Sequence, residues 1–316
     1  MNDQNKPKLA YIAVVLNAVI IGFSFLFTKI ALEHANPMDT LTYRFILSFG
    51  IMSIPVVLGK LKLNYRGKSF YKIVLLATMY PLAFFTFQSF GLLHATSSEG
   101  GILYAVIPVL TLMLASIFLK ETTTILQKIS IFTSVFGVLF IFIMKGSNFD
   151  LSNIVGIALL FMSCLVFAAY SVLAKSLLKT YRPAEITYLM LGIGFITFLI
   201  ISLSSHTTAG TLHQFIAPLT NTTFILSILY LGVLSSLLTA LMTNYALSKI
   251  DASNVSVFSN LSTIVAMIAG AIFLNETITL YSIIGSLLII AGVLGTNMLG
   301  KINTNKKIAK GEHLGA

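Results

Sequence analysis

Arg44 is the residue in this chain whose type and position most invite chemistry. It lies inside an apolar stretch, Met38–Leu58, where a guanidinium costs roughly 2.5–3.5 kcal/mol on insertion scales. Such a charge has to face protein, water or the membrane interface. Two readings follow. Arg44 either binds the carboxylate of a ligand or shapes an outer gate. Alternatively, it stands about six residues, roughly 9 Å at 1.5 Å per residue, from the helix end, and snorkels outward or pairs with Glu33 or Glu99.

Other polar side chains at depth are amides and phenols. Asn17, Gln88, Asn244 and Asn260 fall deep in apolar stretches. An amide in hydrocarbon needs a partner, so each either bonds a neighbouring helix or lines a polar cavity. Tyr80, Tyr104, Tyr170 and Tyr230 are the candidate aromatic walls of such a cavity, and packing is their other reading; Tyr188 lies at similar depth. Pro81 and Pro108 interrupt two stretches and are expected to kink them. Acidic groups sit nearer the ends. Glu99, Glu121 and Glu276 are read as helix-entry caps and loop anchors. The alternative for Glu121 and Glu276, a proton relay, sits poorly with positions so close to the surface.

These side chains need elements to carry them, and composition says of what kind. Only 9% of residues are charged and 57% are hydrophobic, with a mean hydropathy of +0.94. A soluble domain carries about 25% charged residues, so the bilayer must be the main solvent. The net charge of +10 does not imply nucleic acid, because the basic residues fall in short connections between apolar stretches. One cysteine, Cys164, leaves no internal disulfide, and the scattered histidines offer no metal site. No cofactor is implied.

The hydropathy pattern predicts ten spans of about 20 residues: Leu9–Ala31, Met38–Leu58, Phe70–Leu92, Gly100–Leu119, Leu126–Met144, Ile154–Leu178, Ala184–Leu203, Phe224–Leu247, Asn254–Leu274 and Leu280–Leu299. The first is too long for a cleavable signal and is read as retained. Ser204–Thr223 reads as a long outer loop. With the N-terminus inside, all basic residues except Lys29, Lys145 and Arg44 fall on the inner side. That distribution puts both termini, 1–8 and 300–316, in the cytoplasm.

The chain also repeats itself. Ile-Phe-Leu-x-Glu-Thr occurs at 117–122 and 272–277; Gly137-Val138-Leu139 matches Gly292-Val293-Leu294, and Lys29 and Pro37 match Lys175 and Pro183. Two modules, 9–144 and 154–299, are the expected domains. Five spans each, an odd number, requires them to insert in opposite senses. The inner Lys120 accordingly becomes Asn275 on the matching outer loop.

These residues resemble the drug/metabolite transporter superfamily in its ten-span form with two EamA domains. Carrying the resemblance are Lys29, Pro37, Thr42-Tyr43-Arg44-Phe45, Ala95-Thr96-Ser97-Ser98, Ile107-Pro108-Val109 and Glu121, with Lys175, Pro183, Ala252-Ser253-Asn254, Glu276 and Gly292-Val293 in the second module. One departure lies in the first span, where family members often have Trp-Gly and this chain has Ile21-Gly22. The resemblance implies an all-α bundle of ten helices, two inverted five-helix repeats about a central cavity. It implies alternating access of a small-molecule substrate across the cell membrane, with relatives that export amino acids or other metabolites. Arg44 leans the expected substrate towards a carboxylate. No ATP-binding motif is present, so the energy would come from a gradient, of substrate or of a coupling proton or ion. An enzyme is not expected, since no His/Asp/Glu cluster stands at membrane depth. A passive channel or a non-transporting scaffold is the competing class.

Overall fold

The computed structural model describes residues 6–121, 124–145, 151–274, 280–281, 283–292 and 295. The described residues are helices and their connections, without strands. We number the apolar helices α1 (Lys6–Leu32), α2 (Pro37–Val57), α3 (Phe70–His94), α4 (Ser97–Phe118), α5 (Ile125–Lys145), α6 (Leu151–Leu177), α7 (Pro183–Ala209), α8 (Thr222–Lys249), α9 (Ala252–Phe273) and α10 (Ile283–Gly292). Among the described residues, eight are long and apolar enough to cross a membrane; α5 and α10 are apolar as well. Glu276 and most of the residues after Gly292 lie outside the described residues.

The helix ends follow from local sequence. Asn36 caps α2, its side-chain oxygen accepting from the Asp39 N–H at 2.9 Å. Thr96 and Glu99 cap α4 reciprocally, at 3.1 and 2.8 Å. The Glu121 carboxylate also caps, but across space. It accepts the Ala252 N–H, the Ser253 N–H and the Ser253 hydroxyl at 2.9, 3.2 and 2.7 Å, closing the start of α9. The expected long loop is shorter than the hydropathy suggested. Ser204, Thr207 and Thr208 turn their hydroxyls back onto helix carbonyls, so α7 tolerates them and runs to Gly210, whose φ of 66° ends it. A short helix, Leu212–Ile216, follows.

Packing depends on small residues, as it must where lipid is as apolar as leucine. Gly22 of α1 meets Val265 of α9, Gly91 of α3 meets Leu160 of α6, and Gly101 of α4 meets Ala266 of α9. The helices bury one face and expose the other. Ile12, Phe136 and Leu287 are among many large apolar side chains left on the outside, an outer surface suited to hydrocarbon rather than water. Two lysines tie the bundle internally. Lys29 of α1 donates to the Leu92 carbonyl at 2.6 Å and Lys175 of α6 to the Ile250 carbonyl at 2.7 Å.

Candidate functional site

Two polar stripes face each other in the middle of the bundle. On α8, Ser235, Thr239 and Thr243 recur every four residues, one above another on one helix face. The helix is widened into π geometry over Tyr230–Leu238, a feature concentrated at functional sites. On α3, Tyr80, Phe84 and Gln88 repeat the same spacing. Tyr80 itself is extended (φ −133°, ψ 115°), so the helix breaks at Tyr80–Pro81 as the proline predicts. Ile21 and Ser24 of α1, Tyr104 and Ile107 of α4, Phe167 of α6 and Ser259 of α9 complete the wall of a cavity. The room in it for the centre of a water molecule is about 30 Å³. Beside it lies a second small space of about 20 Å³, lined in part by Asn17, Ser171 and Ser256. In this conformation the centre is narrow.

Arg44 stands just behind the cavity and is 1% exposed. Its Nε donates to the Ser236 hydroxyl at 2.5 Å and its Nη2 to the Ser235 hydroxyl at 2.8 Å. The guanidinium lies over the Phe85 ring at 4.0 Å. Ser235 and Phe85 both line the cavity, so the cation is one side chain away from it. Neither snorkelling nor a carboxylate partner is seen. Burial excludes the first; Glu99 is spent on Thr96; and no ion pair among the described residues includes Arg44. Hydroxyls and a ring face hold the cation without neutralising it.

The structure brings most of the predicted polar residues to this centre. Tyr80, Gln88 and Tyr104 line the cavity, and Gln88 donates to the Tyr104 hydroxyl at 2.9 Å. Asn17 lines the adjoining space and donates to Thr243 at 2.9 Å. The amide oxygens of Asn17 and Gln88 are buried without a hydrogen-bond partner. Tyr170 stacks on Tyr80 with centroids 4.7 Å apart and donates to Asn244 at 2.8 Å; Asn244 in turn donates to Thr187 at 2.9 Å. That chain locks α6, α8 and α7 behind the wall. Tyr170→Phe strands the Asn244 oxygen, and we expect it to cost about 0.6–1.7 kcal/mol, the range of interhelical bonds in membranes, read as a lower unfolding temperature in detergent.

Two candidates lie elsewhere. Tyr230 stacks on Phe27 at 4.1 Å and donates to the Ile20 carbonyl at 2.9 Å, fastening α8 to α1. Asn260 donates to the Ser134 hydroxyl, fastening α9 to α5. Neither lines the cavity, because each points at a neighbouring helix instead of the bundle centre. Conversely, Ser24, Phe84, Phe85, Phe167 and Ser259 reach the centre and were missed. So was the stripe Ser235, Thr239, Thr243, whose four-residue spacing carried a readable signal.

The model of the EamA-like transporter family matches residues 8–143 and 154–298. The chain belongs to that family. A relative named "Uncharacterized transporter YcxC" from Bacillus subtilis (strain 168) is 44% identical over 298 residues, covering 94% of each chain. An "Uncharacterized transporter" from Archaeoglobus fulgidus is 28% identical over 284 residues, covering 90% of this chain and 96% of the relative. A solved structure described as "Crystal structure of protein" superposes with a TM-score of 0.67 at 14% identity, over 89% of this chain and 96% of the other; it supports the fold alone. The protein is thus a multi-pass membrane transporter of the EamA family, within the drug/metabolite transporter superfamily.

The departure in the first span of this EamA transporter now has a place. Ile21 lines the cavity, while a Cβ on Gly22 would fall 2.5 Å from Val265. An indole at position 21 would therefore project into a space with room for about one water. We expect Ile21→Trp to block flux while the protein still reaches the membrane, checked by uptake into vesicles at matched abundance.

Proposed function

We propose that this transporter is a secondary active carrier that exports a small metabolite bearing a carboxylate, such as an amino acid, across the cell membrane by alternating access. The observation that carries the reading is Arg44, a buried cation beside the narrow central cavity with no acidic partner among the described residues. A charge costly to bury and left unneutralised is suited to an anionic group that comes and goes. The unpartnered Asn17 and Gln88 oxygens suit the ammonium of the same ligand. The cavity has little room as it stands, so loading a metabolite by this reading involves the halves separating on one side.

The carrier is read as ten helices in two inverted repeats, 9–144 and 154–299, with both termini cytoplasmic. Supporting this are the repeated sequence, the basic-residue bias and the two matching lysine contacts. Reciprocal packing of α5 on α10 adds to it: Gly137 faces Gly285 and Leu288, and Gly292 faces Ser130 and Ser134. The test is a metabolite-efflux screen of cells with and without the gene, followed by flux of each hit and of its decarboxylated analogue in reconstituted vesicles. Carboxylates should move and the analogues should not. Equal flux of both removes the role given to Arg44.

A further inference from the structure

A second buried ionic cluster lies away from the cavity, where the start of α2 meets the end of α7. Asp39 and His206 are 2% and 6% exposed, and the His206 Nε2 lies 2.9 Å from an Asp39 carboxylate oxygen. The same oxygen accepts from the Asn36 amide at 2.7 Å, and the other accepts from the Ser202 hydroxyl. On the far side of the ring, His206 Nδ1 lies 2.8 Å from the Thr211 hydroxyl. Thr211 opens the 211–216 segment, which covers this end of the bundle. Phe215 packs against the imidazole and stacks on Tyr43 at 4.8 Å, and its carbonyl accepts from the Tyr43 hydroxyl at 2.6 Å.

We propose that Asp39 and His206 form a proton-binding site through which transport is coupled to protons, a reading that rests on the proposed carrier function. The hydroxyl of Thr211 makes both protonation states structurally possible. With a neutral ring, Nε2–H donates to Asp39 and the Thr211 O–H donates to Nδ1. When a proton arrives at Nδ1, the hydroxyl turns and accepts from it instead, and no other bond has to break. The charge at the junction changes from a lone buried carboxylate to a neutral pair. A lone carboxylate in a buried helix junction draws water, whereas a neutral pair tolerates closure. The proton therefore biases how tightly the 211–216 segment sits on α2, on the side assigned to the exterior.

Among the described residues, no other charge at this junction competes for that role. Tyr43 on α2 is the remaining titratable neighbour, already bonded to Phe215. His213 on the covering helix is exposed, as is Glu33 in the connection between α1 and α2, and His34 beside it is half-buried. Residues 33–40 and 200–216 contain no Lys or Arg, and Arg44 is turned to α8. Imidazole is the side chain that ordinarily changes charge between about pH 5 and 8.

The test needs no substrate. Backbone hydrogen exchange of the purified, lipid-embedded protein is followed from pH 5 to 8 and corrected for intrinsic rates. Protection of residues 206–216 and 36–43 should change at least tenfold in the wild type, while α3 and α6 stay constant. His206→Gln and, separately, Asp39→Asn should flatten that change. A wild-type profile flat in pH overturns the proposal, as does a transition that survives in either variant. Should one variant fail to fold, the other and the wild-type profile still decide. A pH-sensitive segment in a protein that moves no metabolite would sink the carrier reading and the coupling with it, leaving a proton site without transport; a flat segment in an active carrier would sink this site alone.

Discussion

Arg44→Ala abolishes transport and leaves the folded protein at normal abundance in the membrane. The two halves of that expectation have separate physical origins. A guanidinium held at depth by hydroxyls and one ring face, at 2.5, 2.8 and 4.0 Å, repays little of its insertion cost of roughly 2.5–3.5 kcal/mol. Deleting it leaves Ser235 and Ser236, and Ser235 lies on the stripe beside Thr239, whose hydroxyl already bonds the Ser235 carbonyl at 2.6 Å. Folding therefore loses little. Flux, by contrast, loses the one fixed charge that the described residues place beside the cavity. Uptake or efflux measured at matched abundance, with a thermal unfolding curve for each variant, separates the two. Wild-type flux in Arg44→Ala, or a collapse of the unfolding temperature with it, would make the residue structural.

A second large effect is expected in stability instead of flux. A Cβ at position 101 would sit 2.6 Å from the Ala266 Cβ, where α4 and α9 touch, and the Gly101 carbonyl accepts from Thr263 at 2.7 Å. Gly101→Val has no flexible neighbour to displace, so the helices must part, at a cost of about 1–3 kcal/mol for an overpacked core. A Cβ added at Gly50, on α2, would meet nothing within 4 Å. There, Gly50→Ala should stabilise by about 0.5–1 kcal/mol through reduced backbone entropy. Unfolding temperatures moving in opposite directions at the two glycines would establish the contact; a neutral Gly101→Val would refute it.

Much of the fold was legible because lipid enforces simple rules. Apolar length marked the helices: the spans expected from Met38, Gly100 and Ala184 start at Pro37, Ser97 and Pro183. Pro81 signalled the broken α3 directly. The end of α7 was misjudged because Ser and Thr read as loop in water, yet bond back to helix carbonyls in a membrane. The site was legible only in part. Amides and phenols at depth were recognised as needing partners, but one sequence does not say which of two helices a side chain faces. Tyr230 and Asn260 therefore looked equal to Tyr80 and Gln88. For Arg44, pairing with Glu33 or Glu99 was one of the readings left open; its hydrogen bonds go to serines 191 and 192 positions away. Asp39 and His206 were invisible for the same reason: 167 residues separate them, and neither has a local signature.

The paired contacts of Lys29 with Leu92 and Lys175 with Ile250 bear on how such a molecule avoids leaking. If the modules face opposite ways, the same clasp fastens the bundle once near each water phase. Two clasps of one design would then leave neither face favoured by that contact alone. The balance between the faces would rest on whatever else differs between them.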